Sequence, residues 1–180
     1  MFKGLKSSFH EIKSVKNLCA LSFLLVLKVL ISSFRIVITP GVQISFGFVV
    51  YIVVGAFFGF FASFLFGLIS YFLSLIFGYS LFFHIGFLVS SVVSATIYAL
   101  FLYKLKLKVK RVVLATVVND FIVHFFLNII WLSQIFNGGN FLVAFSQRFL
   151  KSVIMLFLNC FISAFIVILL KKITKLNILK

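Results

Sequence analysis

The chain is 180 residues long and 64% hydrophobic, with 17 Lys and Arg against two Asp and Glu, a formal net charge of +15. That composition excludes an ordinary soluble domain, and apolar runs near twenty residues recur, the length that carries a helix across a bilayer. The cations sit in short clusters beside those runs and not on one polar face, so a lipid bilayer is their expected partner, with no nucleic acid.

Lys3, Lys6, Lys13 and Lys16 lead into the first apolar run, Leu18 to Phe34. No small-residue cleavage site follows its core, where Ser32, Ser33, Phe34 and Arg35 stand, so a retained span is expected and not a signal peptide. Thr39, Pro40 and Gly41 hold the single proline and mark a turn. The run from Ile44 to Phe77 is too long for one crossing and slightly short for two. Spans from Ile44 to Phe60 and from Phe64 to Phe77 are expected, with Gly55, Gly59, Ser63 and Gly67 offering a tight turn or close packing. A span from Gly86 to Tyr103 then meets the basic block Lys104, Lys106, Lys108, Lys110 and Arg111. Val112 to Leu132 forms the next span, Asn137-Gly138-Gly139-Asn140 signals a turn, and Phe149 to Leu170 forms the last, ahead of Lys171, Lys172, Lys175 and Lys180.

Lys and Arg concentrate in cytoplasmic connections. With the N-terminus inside, the block at Lys104 to Arg111 is inside only after an even number of crossings, so Ile44 to Phe77 must cross twice. The expected fold is an all-α membrane protein, a six-helix transmembrane bundle in one domain over 1–180, with N- and C-termini cytoplasmic.

Four cations lie outside the clusters: Lys28, Arg35, Arg148 and Lys151. Charges in or beside apolar spans are functional candidates. Arg148 and Lys151 share one face at the expected outer start of the last helix, where the helix dipole disfavours cations, so an anion between them is the functional reading. Snorkelling to lipid phosphates is the plain alternative. Arg35, at the same outer level, could complete a cationic pocket for carboxylates. Asp120, His124 and Asn128 follow at four-residue steps, with Trp131 next, and polar groups so aligned should face the bundle interior. Asn128 beside Trp131 suits a flat heteroaromatic ring, while a structural polar stripe with an interfacial tryptophan is the rival reading. Lys28 and Asp120 lie at similar depth and are expected to form an intramembrane ion pair.

No activated nucleophile, paired acid, metal-ligand cluster or phosphate loop is evident, so neither catalysis nor a bound metal or cofactor is expected. Cys19 and Cys160 stand alone in apolar segments, as packing residues do. Any ATP hydrolysis that drives transport must reside on another chain.

The segments Thr39-Pro40-Gly41-Val42-Gln43-Ile44-Ser45-Phe46-Gly47-Phe48, Leu127-Asn128-Ile129-Ile130-Trp131-Leu132-Ser133 and Arg148-Phe149-Leu150-Lys151-Ser152-Val153-Ile154-Met155-Leu156 resemble, in that order, the folate-type substrate-binding (S) components of energy-coupling-factor (ECF) transporters. The resemblance implies a multi-pass subunit of a bacterial plasma membrane that binds folate or a related anionic vitamin. It also implies partners: a transmembrane coupling protein and two ATP-binding-cassette ATPases. On matching positions it implies Phe46, Asn128 and Trp131 at the ring system and Arg148 and Lys151 at the carboxylates. It places docking to the coupling protein at Ala20, Ser22 and Val26. Ser33, Ser70, Asp120 and His124 depart from the family pattern. The alternatives are an S component for another vitamin, or a structural scaffold subunit without a small-molecule site.

Overall fold

The computed structural model describes the backbone of residues 14–34, 36–39, 42–44, 46–77, 83–105, 108–136 and 141–178. Side chains are described in these segments except at 36–39, 42–44, 136, 141–144, 146–148, 150–151, 170–171 and 173–178. In chain order come α1 (Val15–Ser33), β1 (Ile36–Thr39), β2 (Val42–Ile44), α2 (Phe48–Ile76), α3 (Ile85–Leu102), α4 (Val109–Asn119), a π-helical segment (Asp120–Leu127), α5 (Asn128–Phe136) and α6 (Phe141–Ile178). Among the described residues, five stretches are long and apolar enough to cross a membrane.

Two features differ from the expected outline. Ile44 does not open a helix: it pairs with Ile36 in an antiparallel hairpin, with Val37 opposite Gln43 and Thr39 opposite Val42. The β-branched residues on either side of Pro40-Gly41 favour extended backbone, so the helix begins only at Phe48. The expected all-α chain therefore carries one short β-hairpin. At the other end, α6 begins at Phe141 and not at Phe149. Ser146 and Gln147 are polar but neither breaks a helix, whereas Asn137 to Asn140 does.

The helical run α2 is not one rod. Gly59 has φ 78 and ψ −170, a conformation essentially confined to glycine. A straight helix would hold Tyr51 and Ser70 about 28 Å apart, yet their hydroxyls lie 3.1 Å apart. The rings of Tyr51 and Phe66 also meet edge to face at 6.0 Å. The chain therefore doubles back at Gly59. The two arms pack on α3 at different levels, Gly55 against Tyr98 and Ala99, Gly67 against Ser91 and Val92. Tyr51, Ile52, Val54, Phe66, Tyr98, Leu102, Val112 and Val167 form the core where these arms meet α3, α4 and α6.

By contrast, α1 has no buried residue. Leu21, Leu24, Leu25 and Ile31 lean on the core, while Phe23, Val26 and Leu30 stay exposed on the other side. In a bilayer that exposed apolar face costs nothing, because lipid tails are as apolar as the side chains.

Gly59→Ala is expected to destabilise the protein by about 1–3 kcal/mol, the strain of a side chain in this backbone region. Thermal unfolding in detergent measures it; an unchanged midpoint would show that the reversal does not need glycine.

Candidate ligand-binding site

One wall is built where α5 meets the start of α3. His84 caps α3, its Nδ1 accepting from the Gly86 N–H at 3.1 Å. Tyr71 fixes His84 twice: its hydroxyl donates to the His84 carbonyl and accepts from the His84 N–H, both at 2.9 Å. On this platform rests Trp131, whose ring lies so close to Gly86 that a Cβ there would clash with the indole. The indole N–H donates to Ser90 Oγ at 3.2 Å, and the His84 ring stands 6.0 Å from it. Tyr71, His84, Gly86 and Ser90 were not foreseen as neighbours of Trp131. They are 41 or more positions away in sequence, and no local periodicity links them.

The second wall is the polar ladder. Asp120, almost fully buried, accepts from Asn159 Nδ2 at 2.9 Å and from Asn119 Nδ2 at 3.4 Å. His124 Nε2 lies 3.8 Å from Asp120 Oδ1, and His124 Nδ1 lies 3.1 Å from Asn128 Nδ2. The four-residue spacing thus does bring the three side chains into one line, although the backbone beneath is π-helical, a form frequent at functional sites. Asn128 Oδ1 is shielded from solvent and has no partner among the described residues. An acceptor left so is unfavourable by about 1–3 kcal/mol until something donates to it.

The expected ion pair between Lys28 and Asp120 is not formed. Lys28 Nζ donates to the Tyr51 hydroxyl at 2.6 Å and lies 4.3 Å from the centre of its ring. Tyr51 in turn meets Ser91 at 2.7 Å, and Ser70 and Ser91 both donate to the Gly67 carbonyl. Depth along the membrane was judged alike for the two charges, but they face different neighbours around the bundle: Lys28 meets α2, Asp120 meets α6.

Of the remaining expected residues, Phe46 is partly buried just ahead of α2, its carbonyl accepting from Val49 N–H. Arg35 lies outside the described residues, as do the side chains of Arg148 and Lys151. Their backbone places them about two and three turns into α6 and not at its start. That removes the dipole argument for an anion there, since the dipole acts within the first turn. On α1, Ser22 and Val26 are exposed one turn apart, with Ala20 partly buried.

Apolar crossing-length helices around a buried polar and aromatic cluster define a polytopic membrane protein. No protein-family model matches the chain. It is 35% identical over 144 residues to "Folate transporter FolT" of Clostridium novyi (strain NT), covering 79% of this chain and 83% of that protein. A solved structure, "Crystal structure of FolT bound with folic acid", superposes with a TM-score of 0.70 at 25% identity, covering 83% of this chain and 91% of the other. The chain belongs to the FolT family of folate transporters. Its named relative is a transporter, in keeping with a chain for which no catalysis is expected.

Three substitutions probe these contacts. Gly86→Ala is expected to push the indole off α3 and shift the fluorescence of Trp131, the single tryptophan; an unchanged emission maximum would contradict the contact. Tyr51→Phe should destabilise the protein by about 1–3 kcal/mol by stranding the Lys28 ammonium. Lys28→Met should be nearly neutral and should suppress the loss in the double variant. Additive losses in unfolding measurements would refute the pairing.

Proposed function

We propose that this chain is the folate-binding S component of an ECF-type importer in a bacterial plasma membrane. The observation that carries the reading is its relation to the folate transporter FolT over 144 residues. The fold likeness to a FolT bound with folic acid supports it. The chain binds and delivers the vitamin, and ATP is hydrolysed by two separate ABC ATPases joined through a transmembrane coupling protein. Ala20, Ser22 and Val26 on α1 form the docking face for that coupling protein, a role favoured by the exposed position of Ser22 and Val26.

The chain crosses the membrane six times with both termini in the cytoplasm. The reversal at Gly59 favours this, because it supplies the additional crossing that puts the N-terminal cluster, the Lys104–Arg111 block and the C-terminal cluster on one side.

Folate offers a flat pterin with N–H donors and two carboxylates. Asn128 accepts from the pterin edge through Oδ1, Trp131 and Phe46 flank the ring system, and Arg148 and Lys151, with Arg35, take the carboxylates. Charge-assisted bonds to guanidinium and ammonium groups are the stronger kind and set the anionic end.

Titration of the purified protein with folic acid, followed by Trp131 fluorescence, tests the proposal. Saturable quenching is expected, with Arg148→Ala or Lys151→Ala weakening binding by about 10- to 100-fold, the range of one hydrogen bond to a charged group. No quenching by any folate, with thermal stabilisation by a different vitamin, would overturn the substrate assignment.

A further inference from the structure

We propose that His124 is a positioning residue that sets which end of the Asn128 amide faces the ligand, and so makes folate binding fall on mild acidification. The inference rests on the folate-binding reading above, and it starts from the amide's two ends. Asn128 Nδ2 points at His124 Nδ1, 3.1 Å away, while Oδ1 is shielded and has no partner among the described residues. An amide NH2 can only donate, so Nδ1 must carry the lone pair and the imidazole proton must reside on Nε2. That proton faces Asp120 Oδ1 at 3.8 Å. The carboxylate is itself held by the amides of Asn119 and Asn159, so its position is fixed from two helices. The neutral imidazole therefore holds the amide with its oxygen turned away from His124, an acceptor for a pterin N–H.

Protonation reverses this. Imidazolium donates at both nitrogens, and an Nδ1–H facing Nδ2 sets donor against donor. The amide relaxes by turning over: Oδ1 now accepts from Nδ1–H, and Nδ2 takes the place of the oxygen. The acceptor for the pterin N–H is lost, and a donor stands in its stead. The His124 side chain is 41% exposed to the surroundings of the bundle, and imidazole ordinarily changes charge between about pH 5 and 8.

Among the described residues, Asp120 on the same helical segment faces the ring. Tyr98 on α3 and Cys160 on α6 lie within electrostatic reach of Asp120. Along α6, Arg148 and Lys151 stand further toward its start than Asn159.

The test measures tritiated folic acid binding to the purified full-length protein in detergent at pH 7.5 and pH 5.5, for wild type, His124→Asn and His124→Phe. Asn places an amide oxygen where Nδ1 stands and does not titrate; Phe places no acceptor there. Wild type should lose about 5- to 10-fold in affinity at the lower pH, the effect of roughly one net hydrogen bond. His124→Asn should bind as wild type does at pH 7.5 and stay level to pH 5.5. His124→Phe should be weaker by about tenfold at both. A level wild-type profile, a His124→Asn profile as steep as wild type, or a His124→Phe affinity equal to wild type at pH 7.5 would each overturn the inference while leaving folate binding intact. Absence of wild-type folic acid binding at pH 7.5 would overturn both. If His124→Phe does not fold, the wild-type and His124→Asn profiles decide.

Discussion

Inside lipid a chain must satisfy its polar groups from within, and here that requirement is met through the reversal at Gly59. The turn lays one arm of α2 along the other, which brings the Tyr51 hydroxyl to Ser70 and, across the crevice, to Ser91. Lys28 then has an oxygen to donate to at mid-membrane without any acid nearby. Without the reversal, Tyr51 and Ser70 would sit at opposite ends of a rod, and the ammonium on α1 would face hydrocarbon. The same turn sets the two arms against α3, whose first turn carries Gly86 under the indole.

Besides the Tyr71–His84 platform under Trp131, polar groups are gathered into two further clusters. One, around Tyr51, ties α1 to α2 and α3 and contains the only cation with a described partner deep in a span. The other, around Asp120, ties the π-helical segment to α6 through Asn159 and extends by way of His124 to Asn128. In the first, the hydroxyls of Tyr51, Ser70 and Ser91 all have partners. In the second, the amide oxygens of Asn119, Asn128 and Asn159 have no partner among the described residues.

Much of this outline was legible in the chain, and the places where it was not have physical reasons. Glycines within Ile44 to Phe77 announced a bend, because a bare backbone is where helices approach or turn; the choice of Gly59 over Gly55 or Gly67 needed the packing on α3. The line from Asp120 to Asn128 could be read from its spacing, yet nothing in the residues signals that the backbone beneath widens to a π-helix. Lys28 and Asp120 were matched by depth, which is one coordinate; rotation around each helix is the other, and it sends them to different partners. The hairpin at Ile36–Ile44 was missed because three or four extended residues leave too short a pattern beside long apolar helices. Tyr71 and His84 became visible only in three dimensions, since the contact that makes them matter is with a tryptophan far along the chain.

Ser90 and Ser91 are consecutive, so their side chains leave α3 about 100° apart, and they serve different masters. Ser90 receives the indole N–H; Ser91 holds Tyr51 and the Gly67 carbonyl. One turn of α3 thus joins the indole to the phenol and, through the phenol, to Lys28 on α1. The outermost helix, which buries no residue of its own, is tied by a single ammonium to the same turn that seats the tryptophan.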